Sequence, residues 1–149
     1  MRIAIGNDHA GFELKEFLRD RLKSLGYEVE DLGCHYPTAC DYPVYAHKVA
    51  RAVAAGEFEF GILICGTGLG MSMSANKIKG IRAALCRDAT FAELARRHNN
   101  ANILCLAGRF TEPDDALEIT LRFLTTGFDG DTPQGQRHKR RVELIEPKE

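Results

Sequence analysis

The chain has 149 residues, 44% of them hydrophobic, which suits one domain spanning 1–149, since chains of this size bury roughly 68–70% of their unfolded surface. A formal net charge of −1 leaves no global basic field to recruit nucleic acid or an anionic membrane, so any anion site must be local. The longest apolar runs fall far short of the ~20 residues that cross a bilayer, and the start MRIAIGNDHAG has neither an apolar h-region nor a small-residue cleavage site, a pattern that points to the cytoplasm.

The predicted elements alternate in chain order. Arg2 to Gly6 reads as a strand, and Leu14, Phe17, Leu18, Leu22 and Leu25 follow at helical spacing until Gly26 stops the helix. EVEDLG is a second strand. After a loop of Cys, Pro, Thr and Asp comes a helix whose Ala46, Val49, Ala50, Val53 and Ala54 form an apolar stripe ending at Gly56. FGILIC, GIRAALC and ANILCLAG are the third, fourth and fifth strands, with helices starting near Met71, Asp88 and Thr111. Thr111-Glu112-Pro113-Asp114 offers a capping hydroxyl, a first-turn proline and acids against the helix dipole. After DGDTPQG a short C-terminal helix is predicted over about 136–146, anchored by Val142 and Ile145.

Strands that are continuous apolar runs, each followed by a helix, argue for a parallel sheet covered on both faces. The fold class is therefore α/β, a three-layer α/β/α Rossmann-like sandwich around five parallel strands. In such sheets the functional crevice lies beyond the carboxyl ends of the strands. Attention falls on Asp8 and His9 after the first strand, on Cys65 to Gly70 after the third, and on Arg109 after the fifth.

The loop GTGLGM fails the dinucleotide fingerprint, because Met71 stands where the last glycine is required, and it also fails Walker A. Its glycines still let backbone approach a ligand, and it opens a helix whose first N–H groups attract negative charge. A cysteine beside such amides has its thiolate favoured, which makes Cys65 a candidate base or nucleophile. The plainer use of the same residues is a buried strand end and a tight turn. Of the other thiols, Cys86 and Cys105 read as small buried hydrophobes. Cys34 and Cys40, with His35, Asp41 and His47 nearby, match no structural zinc spacing, so no metal is expected. Five cysteines without a C-x-x-C pair suit a reduced state.

Further clusters add weight. Asp8 and His9 occupy the same sheet edge as the glycine loop and bury poorly without partners. His98 ends a helix, where the dipole favours an imidazolium, and it is expected to converge with Cys65 and Asp8-His9 on the loop. Arg137 and Arg141, four apart, share a helix face and suit a phosphate. A helix cap and a solvated charged face are the plainer readings.

Taken in order, IGNDHAGFELK, CDYP, GILICGTGLGMSMSANKIKGIRAALC, RRHNNANIL and GQRHKRRVE resemble the type B ribose-5-phosphate isomerases and their allose- and galactose-6-phosphate relatives over nearly the whole chain. The resemblance implies a dimer, sometimes a tetramer, with the sugar phosphate at the subunit interface and no cofactor. It implies Cys65 as the base between C1 and C2. Some members use a glutamate at the position of Met71 instead, which places this chain in the cysteine branch. It further implies His98 as the ring-opening group, Asn99 on the sugar hydroxyls and the amides of Gly66, Thr67, Gly68, Leu69 and Gly70 on the enediolate oxygen. Thr67 would assist proton movement, Asp8 and His9 would contact substrate, and Arg109, Arg137 and Arg141 would surround the phosphate, some from the partner subunit. The alternatives are an isomerase of a six-carbon sugar phosphate or a free sugar, and a non-catalytic phosphate-binding module.

Overall fold

The computed structural model describes residues 1–148. In chain order the elements are β1 (Arg2–Asn7), α1 (Phe12–Ser24), β2 (Glu28–Asp31), α2 (Tyr42–Ala54), β3 (Phe60–Cys65), α3 (Leu69–Ala75), β4 (Ala83–Leu85), α4 (Ala89–Asn99), β5 (Ile103–Ala107), α5 (Pro113–Thr125) and α6 (Gln136–Glu143). Short 3₁₀ turns occupy His9–Gly11, Asp129–Asp131 and Pro133–Gly135. The five strands form one sheet in the order β2-β1-β3-β5-β4, every pairing parallel. Ile3, Ile5, Ile62, Ile64, Leu104 and Leu106 point to one face, where α1, α4 and α5 cover them. Ala4, Leu63, Cys65, Ile103 and Cys105 alternate onto the other, under α2 and α3. Both faces are dry, which is why the strands read as continuous apolar runs rather than alternating ones.

This layering places the crevice. The chain leaves β1 toward the α1 face and leaves β3 toward the α3 face, so the neighbouring ends of β1 and β3 open between two connections that diverge. The loops after β1, β3 and β5 meet there. One core contact shows the energetics: Phe123 is fully buried, lies edge-on to Phe60 at 5.5 Å, and shares that ring with the Arg96 guanidinium 4.7 Å from its centroid.

Several element ends differ from the sequence reading. Leu25 is 53% exposed and only closes α1, with Gly26 at φ +95° turning the chain away. α3 begins at Leu69, two residues before Met71. β4 is a three-residue, half-buried edge strand, because it has a ladder partner on one side alone. Thr111 does not cap α5: its hydroxyl donates back to the Ala107 carbonyl at 2.7 Å, and Glu112 takes the cap position without a side-chain bond. α6 ends at Glu143. Ile145 is 48% exposed, and the buried residue that fastens this helix is His138.

Candidate active site

The carboxyl edge of the sheet is sewn together by backbone. The Cys65 carbonyl accepts the Gly108 N–H at 2.7 Å, and the Gly66 carbonyl accepts the Arg109 N–H at 3.1 Å. The loops after β3 and β5 are therefore tied to one another. A Cβ at Gly66 would lie 3.4 Å from an Arg109 guanidinium nitrogen, so that side chain covers the loop backbone closely. Gly68 sits at φ +78°, where a Cβ would also press within 2.5 Å of Leu85. This turn is what bends its N–H back onto Cys65 Sγ, 3.2 Å away. The Leu69 N–H donates to Thr67 Oγ1 at 3.2 Å. Of the five amides in the loop, those of Gly66, Thr67 and Gly70 are left without a chain acceptor among the described residues, at the amino end of α3 where a developing anion is favoured. Cys65 itself is 5% exposed.

Asp8, expected to bury poorly without partners, is buried and has them. Its Oδ1 accepts the N–H groups of Ala10 at 2.9 Å and Gly11 at 3.2 Å, which supplies the partners that make burial affordable. The Asp8 N–H in turn donates to the Ile64 carbonyl, tying β1's exit to β3. His9 is exposed, and its Nδ1 accepts the Cys40 N–H at 3.4 Å, which brings the loop after β2 to the same edge. Sequence reasoning missed what holds that loop. Lys15 is fully buried, with Nζ 2.8 Å from Asp31 and 3.2 Å from the Cys34 carbonyl. Burial works against ionisation of Asp31, yet Lys15, the Gly33 N–H and Arg19 outweigh it and hold the carboxyl below its ordinary range. Cys40 is pushed up to about 12 by burial and by the neighbouring Cys34 thiol, and Cys86 up to about 12 by burial and Asp88. Burial raises Cys105 as well.

His98 lies elsewhere. α4 runs antiparallel to the strands, from the carboxyl end of β4 to the amino end of β5, so its last turn is carried to the opposite edge. The ladder registers Gly61 with Ile103 and Cys65 with Ala107, which puts roughly 13 Å of strand between the two edges. Within one chain, then, His98 does not converge on the glycine loop. Its imidazole stacks on His138 of α6 with centroids 4.3 Å apart and planes 6° from parallel. His98, Asn99, His138, Arg141, Val142 and Ile145 line a cavity of about 310 Å³, and the Arg137 guanidinium donates to the Gln134 carbonyl at 3.1 Å. His138 carried no signal of its own in GQRHKRRVE, where it reads as one more charge among five.

Ligand atoms of His98, Asp129 and His138 lie within 4.8 Å of one another. Both Asp129 oxygens are already held by Arg97, at 3.2 and 3.1 Å. With Arg137 and Arg141 acting on the same imidazole, the cluster suits an anion rather than a cation.

The comparisons follow the geometry. The family model described as Ribose/Galactose Isomerase matches residues 3–145. Ribose-5-phosphate isomerase B of Escherichia coli (strain K12) is 44% identical over 144 residues, covering 97% of this chain and 93% of its own. A crystal structure of a ribose 5-phosphate isomerase from Thermotoga maritima superposes with a TM-score of 0.92 at 51% identity, covering 97% and 96% of the two chains. Ribose-5-phosphate isomerase B of Clostridium thermocellum gives a TM-score of 0.92 at 49% identity, with 97% and 95% covered. The chain belongs to the ribose/galactose isomerase family and is an aldose-ketose isomerase.

Proposed function

We propose that this enzyme interconverts ribose 5-phosphate and ribulose 5-phosphate through ring opening and a cis-enediolate, with Cys65 as the base. The carrying observation is the thiol at the sheet's crevice, facing the Gly68 N–H and flanked by loop amides free to bind an oxyanion. His98 passes a proton to the ring oxygen as the C–O bond breaks and takes one from the anomeric hydroxyl. The Cys65 thiolate then removes the proton from C2, the amides of Gly66, Thr67 and Gly70 hold the enediolate oxygen at C1, the Thr67 hydroxyl carries the proton of the C2 oxygen to the C1 oxygen, and the thiol returns its proton to C1. A positioned base contributes typically ~10²–10⁴-fold, and an oxyanion donor roughly 2.7–4 kcal/mol. Arg109, Arg137 and Arg141 hold the phosphate, and its remote binding energy orients the opened sugar.

The split of the site residues between two sheet edges supports assembly of each site from two copies in a homodimer, His98 and Arg141 of one facing the Cys65 loop of the other. No helix among the described residues is long and apolar enough to cross a membrane. A ketose-forming assay tests the reading. Ribose 5-phosphate should turn over faster than allose 6-phosphate, and Cys65→Ala should lose about 10²–10⁴-fold in kcat while phosphate-ligand affinity stays nearly normal. Full activity of Cys65→Ala would reject the base assignment, and faster turnover of allose 6-phosphate would reassign the substrate to six carbons.

A further inference from the structure

The geometry points to His138 as a positioning residue: its imidazole, stacked flat on His98, fixes the plane of that ring and lets the pair hold one proton at a time. The inference rests on the assignment of His98 to ring opening. No hydrogen bond among the described residues orients either imidazole, so the parallel stack at 4.3 Å is the contact that sets their planes. His138 is also the buried residue of α6, so the same contact seats the helix that carries Arg137 and Arg141. The residue therefore couples the ring-opening group to the phosphate-holding helix.

Two imidazolium charges cannot share so short a stack without strong repulsion, and the surroundings decide which ring is charged. Every packed element contributes. Burial first, then Arg137 and His98, with Arg141 adding, lower the proton affinity of His138, while Asp129 raises it. Asp129, from the turn between α5 and α6, is itself committed to Arg97 of α4, and Asp131 of the same turn acts on Arg96. These surroundings thus favour the uncharged form of His138. A ring-opening group must give and regain a proton, and a flat neighbour that stays uncharged lets it do so without being displaced.

The test is a proton NMR titration of the two imidazole Cε1–H signals beside steady-state kinetics. His98→Asn raises the His138 midpoint above its wild-type value, because the competing charge is gone. His138→Ala lowers kcat for ribose 5-phosphate by about 10–100-fold through loss of ring placement. His138→Phe, which keeps a flat ring on His98, recovers most of that loss with little change in KM. An unmoved His138 midpoint in His98→Asn, or equal loss in the Ala and Phe variants, would overturn the inference. The titration needs no turnover, so a protein that isomerised no sugar phosphate would remove the ring-opening assignment and leave the coupled pair measurable by itself.

Discussion

The two edges of the sheet hold their candidate site residues in different ways. At the carboxyl edge, Asp8, Cys65 and the glycine loop are fixed by backbone bonds between adjacent strand exits, and Gly68 alone turns an N–H onto the sulfur. At the amino edge, His98 and Arg141 depend on side chains: an imidazole stack, an Arg97–Asp129 pair and an eight-residue helix. The first arrangement is rigid because it is part of the ladder. The second is as stable as the packing of α6, and its groups face away from the thiol they are assigned to assist.

That division makes the strongest expectation a complementation. Cys65→Ala and His98→Asn homodimers should each be nearly inactive, since every site lacks one member. Mixed by refolding, they should form about half heterodimers in which one of the two sites is intact, restoring about a quarter of wild-type activity. Native mass spectrometry of the mixture gives the heterodimer fraction against which the recovered rate is read. No recovery with heterodimer present would place both groups in one chain's site and break the two-edge arrangement.

A smaller effect separates the edges by stability. Lys15→Met removes the buried partner of Asp31 and the donor to the Cys34 carbonyl, leaving the mostly buried carboxylate with only Arg19 at 3.0 Å and the Gly33 N–H at 3.1 Å. Loss of one member of a buried pair costs roughly 3–5 kcal/mol when the other is left uncompensated, and because Arg19 stays on Asp31 the shift in urea unfolding should fall below that range but above about 1 kcal/mol. The loop tied to His9 should loosen with it, seen as faster amide exchange at Cys40. A shift of under about 1 kcal/mol would mean that Lys15 is held for packing and not for charge.

These differences also explain what the sequence disclosed. The carboxyl edge was legible because its residues are contiguous: a strand, a thiol and the three glycines of the loop are written within Phe60 to Gly70, and the alternation of strands and helices puts them at the same sheet edge as Asp8. The strands were legible because both faces of the sheet are dry. His138 and Asp129 were not, since their meeting with His98 depends on how the turn after α5 lays α6 across the end of α4, a tertiary event with no periodic signature. Ile145 was a natural anchor by spacing, yet α6 stops at Glu143, and the expected apolar stripe gives way to one buried imidazole. Lys15 escaped because a lysine inside a helical pattern reads as surface until the carboxylate facing it is known.

The finest comparison sets one carboxylate at each edge against pH and salt. Asp31 is held below its ordinary range against the pull of burial, by Lys15, the Gly33 N–H and Arg19. Asp129 is held down first by its bonds to Arg97, with the charges of Arg97, His98 and His138 adding. A folded value below the unfolded one, near ~3.9, means the stabilisation is complete above that pH and is lost as pH falls through the folded value. The urea midpoints of Asp31→Asn and Asp129→Asn should therefore lie below the wild type at pH 6 and converge with it on acidification. Salt then separates the two: the Asp31 difference should persist at 0.5 M NaCl, about three to five times physiological ionic strength, because Lys15 is wholly buried, whereas the more exposed Arg97–Asp129 pair should lose most of its smaller contribution to screening. Equal salt sensitivity would show that the amino-edge pair is shielded in solution, which a dimer closing over that edge would produce.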